Sequence, residues 1–274
     1  MKRKKGTFLG TIRAFLAAFA RRVRANRLTF AIYALMGLIT MIVIVWTFID
    51  GQYESTFTAV LSLFLFMLPT LVEEGLQIKL PQAMEIASVL FVFCANILGE
   101  ILEFYTLLPF WDDMLHYTSG FIFAAFGFSL VELFNRNAKF DFHLSPFFVS
   151  TVALCFAVTV GVLWEMFEFC ADMILHTDMQ KDRLVTEIHS ALLNPSGQAP
   201  VGISGITATE VTGVGGELLL INGYLDIGLI DTMKDLFIDL LGAILFCSIG
   251  FLYMKHTTRG RIARQFIPRV EEHD

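Results

Sequence analysis

Charged residues are scarce in this chain. Asp, Glu, Lys and Arg make up 17% of its 274 residues, against about a quarter in an ordinary soluble domain. That shortage excludes a globule wrapped in a conventional charged surface. Cysteine is scarce too. Cys94, Cys155, Cys170 and Cys247 all fall in apolar segments, with no CxxC pair. They read as small buried hydrophobes and exclude a disulfide framework. The apolar runs lack the period-two alternation of a transmembrane barrel. There is no internal repeat and no low-complexity tract. The "NPS" triplet at 194–196 has Pro in its middle, so it is no glycosylation acceptor.

What is present is apolar. Hydrophobic residues make up 55% of the chain and include 28 Phe, and the mean hydropathy is +0.65. A helix needs roughly 20 apolar residues to cross a bilayer. Six runs qualify: 28–49, 56–72, 83–103, 114–134, 146–175 and 231–254. The expected fold class is therefore an all-α polytopic membrane protein of six spans. The second span is the shortest and holds Pro69, which predicts a kink.

No acid occurs before Asp50, whereas Lys2, Arg3, Lys4, Lys5, Arg13, Arg21, Arg22, Arg24 and Arg27 all do. Residues 1–27 read as a basic amphipathic segment, with Phe8, Ile12, Phe15, Leu16, Phe19 and Val23 on its apolar stripe. Such a segment suits an anionic cytoplasmic leaflet. Arg13 within the apolar stretch argues against a cleaved signal peptide. The positive-inside rule then predicts both termini in the cytoplasm of a bacterial inner membrane. Arg136 and Lys139 in the fourth-to-fifth loop agree with this, as does the basic tail 255–274. The organisation is the segment 1–27, a membrane domain 28–254 and that tail. An extracytoplasmic insertion, 176–230, precedes the last span. In it "TEIHSALL" reads as a short helix, and "LLLINGYLDI" reads as a β-hairpin about Asn222–Gly223.

The few acids are grouped. Glu100 and Glu103 end the third span. Asp112, Asp113 and His116 open the fourth. Glu165, Glu168 and Asp172 end the fifth at i, i+3 and i+7, and Asp231, Asp235 and Asp239 open the sixth at i, i+4 and i+8. Each spacing gives one helix face. Ionisable groups in a bilayer cost about 2.5–3.5 kcal/mol each on insertion scales, so they are expected to face one another or a wet cavity. Crowded carboxylates need protons or cations. Nearby cationic side chains are few: Lys234 in the sixth span, Lys181 and Arg183 in the loop. The pattern predicts a divalent metal ion of open identity, with Glu100, Glu165, Glu168, Asp172, Asp235 and Asp239 as ligands. His116, oriented by Asp112, is the expected base or further ligand. Against this stands the plainer reading of solvated helix ends, with Asp231 as an N-cap. "DMQKD" at 178–182 lacks the Gly and the distal Glu of a calcium loop.

The stretches "LGEILEFYTLLPFWDDMLHYTSG", "WEMFEFCADMI", "DMQKD" and "DIGLIDTMKDLFIDLLGA" resemble the YjdF-type bacterial inner-membrane proteins over roughly residues 30–255. That family has no assigned function, and the stretch around 185–222 is extra to it. A fainter likeness is to VanZ-like membrane proteins, whose pattern Asp112, His116, Glu168, Gln180, Asp235 and Gly242 match. Asp113 and Asp239 depart from it, standing where that family has Lys and Asn. This second resemblance implies a cell-envelope role and no reaction.

The expected function is metal-assisted hydrolysis or modification of a lipid or lipid-linked envelope molecule, with a cation-activated water as nucleophile and the loop as a lid. Two alternatives stay open: a proton- or cation-coupled transporter, and a non-enzymatic scaffold. The near-absence of polar residues in the cytoplasmic half of the spans favours a one-sided site. The bilayer is the expected partner, and nucleic acid is not one.

Overall fold

The computed structural model describes residues 8–76, 78–135, 144–197, 199–255 and 269–270. Lys2, Arg3, Lys4, Lys5, Arg136, Lys139 and most of the basic C-terminal tail lie outside them. The helices are α1 (Phe8–Ala25), α2 (Arg27–Ile49), α3 (Tyr53–Leu65), α4 (Leu68–Leu76), α5 (Gln82–Val92), α6 (Phe104–Leu107), α7 (Trp111–Asn135), α8 (Pro146–Leu175) and α9 (Leu229–Lys255). After α5 the chain continues as a π-helix, Phe93–Ile101.

Among the described residues, six helical stretches are long and apolar enough to span a membrane: Arg27–Ile49, Tyr53–Gly75, Gln82–Ile101, Trp111–Val131, Pro146–Leu175 and Leu229–Lys255. These are the six expected from hydropathy. The second is broken where Pro69 predicts it. Pro69 has no amide hydrogen, and the helix interrupts at Phe66–Met67 before resuming as α4.

The chain divides into two compact units, Met1–Thr159 with Ile238–Asp274, and Val160–Phe237. The first has two apolar cores. One gathers Val23, Tyr33, Met36, Val43, Ala59, Val89 and Ile97. The other gathers Met84, Ala124, Phe128, Val149, Ala153, Ala243 and Phe246. In α2 the usual pattern is inverted. Thr40 and Thr47 are fully buried, while Leu38, Ile42 and Phe48 are about 60% exposed. The buried hydroxyls are satisfied by their own helix, Thr40 donating to Met36 O at 2.8 Å and Thr47 to Val43 O at 2.9 Å. Apolar outside and small polar inside is what lipid selects, since the tails offer no hydrogen bonds. Between spans, Asn96 Nδ2 donates to Ser62 Oγ at 3.1 Å.

A strand pair closes the first unit, with β1 (Ile78–Lys79) antiparallel to β8 (Arg269–Val270). The second unit holds the remaining strands: β2 (Leu184–Val185), β3 (Glu187–Ser190), β4 (Val201–Ser204), β5 (Thr209–Thr212), β6 (Leu218–Ile221) and β7 (Tyr224–Leu225). They form three antiparallel pairs, β2 with β7, β3 with β4, and β5 with β6.

The loop thus contains hairpins, but not where Asn222–Gly223 places one. A type I′ turn needs positive φ at both central residues, and Asn222 is not among the described residues with positive φ. The turn instead falls on Gly213–Glu217. Gly216 has φ +79°, Gly213 N–H donates to Glu217 O at 2.9 Å, and Gly216 N–H donates to Gly213 O at 3.0 Å. "TEIHSALL" is likewise a strand over Glu187–Ser190, with helical winding confined to a 3₁₀ turn at Ala191–Leu193. The alternation of Ile188 with polar neighbours, facing Ile203 across the ladder, overrides the helical spacing.

Candidate functional site

In the first unit the crossing of α7 and α9 is set by two glycines. A Cβ on Gly120 would stand 2.0 Å from Asp239 O, and one on Gly242 would stand 2.0 Å from Tyr117 O. Both neighbours are backbone atoms. No side chain larger than hydrogen fits at either position, so the two backbones approach as at a small-residue crossing in membranes. This approach brings polar groups together one turn away.

His116 is 7% exposed. Its Nδ1 lies 3.4 Å from Asp239 Oδ2, and its Nε2 lies 3.7 Å from Asp112 Oδ1 one helical turn before it. Ser119 Oγ donates to Asp239 Oδ1 at 2.5 Å and also reaches His116 O at 2.8 Å. The imidazole therefore stands between two carboxylates, one per nitrogen. Asp239 is almost fully buried and holds both Ser119 and His116. Asp112 is partly open. That difference suits Asp239 to orienting the ring and the Nε2–Asp112 side to meeting a ligand. Asp235 is buried one turn before Asp239 on the same helix, with Lys234 Nζ 3.7 Å from its Oδ1.

The other expected ligands stand differently. Glu100 is exposed, outside this cluster, and it does not share a helical face with Glu103. The i→i+5 winding of the π-helix shifts the register of side chains. Glu103 lies beyond that helix in the left-handed region, φ +59°, at the start of α6. In the second unit, Glu165 is buried, and Glu168 Oε1 accepts from Trp164 Nε1 at 2.9 Å. Asp172 is engaged by the loop. Its Oδ1 accepts from Thr177 Oγ1 and Met179 N, both at 2.7 Å, and its Oδ2 from Gln180 N at 2.8 Å.

Asp231 is not the expected N-cap, because α9 begins two residues earlier at Leu229. Its Oδ2 accepts from Lys181 N at 2.9 Å, and Arg183 Nη2 lies 3.4 Å from its Oδ1. Asp226 supplies the cap to α9, its Oδ2 accepting from Ile230 N at 2.9 Å, while its Oδ1 takes Arg183 N at 2.7 Å. Burial pushes the Asp226 carboxyl up, but the amides of Arg183, Ile230 and Gly228 outweigh it and hold it below the ordinary value. Asp182 shifts the other way, raised by burial and then by the charges of Asp178, Asp226 and Asp172. "DMQKD" is thus a strap tied down by Asp172 and Asp231, with Asp226 pinning the next residue.

Sequence reasoning missed Ser119, Gly120 and the buried Glu85. Ser119 and Gly120 lie a turn beyond His116, and Gly242 lies three residues after Asp239. A pair of small residues at matching heights on two spans was the readable signal. Glu85, 5% exposed in α5, is not among the polar residues that the sequence singled out in the spans.

The comparisons with known proteins agree with this picture of a membrane protein. An uncharacterized protein from Thermotoga maritima is 26% identical over 156 residues, covering 56% of this chain and 74% of the relative. No solved structure matches. A family model described as "Predicted membrane protein (DUF2238)" matches residues 32–256, well over half of the sequence, and the chain belongs to that family, the one to which its YjdF-type motifs point.

Proposed function

We propose that the α7–α9 crossing binds a divalent cation through His116 Nε2 and Asp112, with Asp235 of the next turn as a further oxygen ligand and Asp239 orienting the ring. The observation that carries this reading is the buried imidazole with Asp239 at hydrogen-bond distance from Nδ1 and Asp112 3.7 Å from Nε2. The donor set fits the group, because an imidazole fixed through Nδ1 by a carboxylate is the usual support of a metal-binding Nε2, and carboxylate oxygens suit Mg²⁺, Mn²⁺ or Zn²⁺. Glu165, Glu168 and Asp172 enter this proposal less directly than the sequence implied. Asp172 is occupied by the loop, and Glu168 by Trp164. With both termini in the cytoplasm of a bacterial inner membrane, the site opens at the extracytoplasmic surface. A cation bound there polarises a phosphoryl or carbonyl oxygen and acidifies water, which fits hydrolysis or transfer on a lipid or lipid-linked envelope molecule. The buried Glu85 favours a second reading, proton- or cation-coupled transport, since an ionisable group within a span marks ion pathways too.

The test is elemental analysis of purified protein, with melting before and after chelation. Near-stoichiometric divalent metal, lost in His116→Ala and Asp112→Asn, supports the site. A metal-free protein whose melting ignores both chelator and added Mg²⁺, Mn²⁺ or Zn²⁺ overturns it. Proton flux in vesicles that is abolished by Glu85→Gln decides for transport over hydrolysis.

A further inference from the structure

The second unit carries apolar side chains that its own fold leaves in the open. Leu218, Leu219 and Leu220 of β6 are all more than 60% exposed, and Val214 at the tip of the β5–β6 hairpin is fully exposed. Three consecutive exposed leucines occupy both faces of a strand, because successive side chains point to opposite sides. A two-stranded ribbon has no second layer in which to bury either face, and such a hairpin is marginal in water by itself. Among the described residues this ribbon pairs with no third strand.

We propose that the β5–β6 hairpin inserts its tip, Val214 with Leu218 to Leu220, into the acyl boundary of the membrane leaflet from which α8 and α9 emerge. The same unit contains the end of α8 and the start of α9, where Met173, Ile174 and Leu175, then Ile227 and Leu229, are exposed as a bilayer-facing collar. The hairpin is continuous with that collar. β7 follows β6 after two residues and pairs with β2, and Asp226 and Asp231 tie this pair's flanks to the head of α9. The ribbon is therefore tethered at the membrane surface on a short leash, where the nearest apolar phase is the lipid. The binding is apolar and not electrostatic. The ribbon itself, residues 205–225, holds no Lys or Arg, and Glu210 and Glu217 flank the tip, so anionic headgroups find no cation on it. A zwitterionic phosphatidylcholine surface, with no net charge, is the expected partner.

The full-length protein in phosphatidylcholine nanodiscs tests this. A Val214→Cys variant, with the two exposed cysteines replaced (Cys155→Ala, Cys170→Ala), carries an environment-sensitive fluorophore. Ser196→Cys, at an exposed turn of the same loop, is the control. Blue-shifted emission at 214 that is quenched by lipid-borne nitroxide, protected from aqueous dithionite and unchanged in high salt supports insertion. Leu218→Ser with Leu220→Ser should then raise dithionite reduction at 214 several-fold toward the rate at 196. Free dithionite access at 214 without lipid quenching overturns the proposal. So does protection from both quenchers, which assigns the ribbon to a protein partner or a second copy, and so does loss of lipid quenching in high salt.

Discussion

Replacing Gly120 with Ala adds one methyl group to the centre of a membrane helix, where Ala is the better helix former by about 1 kcal/mol. At this position it should nevertheless destabilise. The new Cβ falls 2.0 Å from Asp239 O and 2.8 Å from its carbonyl carbon. Neither is a side-chain tip that can swing aside, so relief requires the α9 backbone to retreat by about 1 Å or more, given that heavy atoms rest near 3.5–4.0 Å. Overpacking of this kind costs about 1–3 kcal/mol. The retreat also stretches the His116–Asp239 contact, 3.4 Å in the native protein, past the length at which a hydrogen bond survives. Gly242→Ala meets Tyr117 O at the same 2.0 Å and should behave alike. Gly37→Ala in α2 meets nothing within 4 Å and is the control. Thermal melting in detergent should fall by roughly 2–8 °C for the first two, at a few degrees per kcal/mol for a chain of this size, and hold or rise for Gly37→Ala. Divalent-cation retention should drop alongside melting at 120 and 242. If all three variants melt alike and bind alike, the glycines do not set the crossing and the account of the site is wrong.

Asp239→Asn, which keeps the shape but removes the charge beside Nδ1, should leave folding intact and weaken cation affinity by roughly 10–100-fold, as loss of an orienting carboxylate does elsewhere; calorimetric titration reads it, and unchanged affinity assigns Asp239 to packing. Asp172→Ala removes three hydrogen bonds to one carboxylate, a local loss on the order of 3 kcal/mol, so hydrogen exchange at Met179 and Gln180 should quicken while the spans stay protected. The strap also responds to pH in two steps. Asp182, raised above the ordinary carboxylate value, opposes the folded loop when ionised, and this opposition is relieved as pH falls through its folded pKa. Asp226, held below 3.8, contributes stability that is full above its unfolded pKa and lost as pH drops through its folded one. Exchange protection of the loop should therefore rise slightly on acidification, peak, and then fall below pH 3.8; a monotonic decline contradicts the opposed shifts.

Composition and hydropathy by themselves determined the six spans, because a bilayer rewards length and apolarity residue by residue, with no need for tertiary information. Pro69 marked the break in the second span for an equally local reason, the missing amide hydrogen. The pairing of Asp112 with His116 was also readable, since a four-residue spacing on a helix is one face whatever the helix packs against.

Tertiary structure decided the rest. That Asp239 stands beside His116 depended on which helices touch, and that turned on Gly120 and Gly242, where the absence of two methyl groups admits two backbones. Asp172 looks like a ligand in the sequence, yet its oxygens are taken by Thr177, Met179 and Gln180 just beyond the helix, and Asp231, which reads as an N-cap, instead accepts from Lys181 in a distant part of the chain. Glu100 left its expected face because the helix wound as π, a choice no spacing rule registers. The hairpin moved from Asn222–Gly223 to Gly213–Glu217 because Tyr224 and Leu225 found a partner in β2 nearly forty residues upstream in the chain, a competition that local turn propensity cannot weigh.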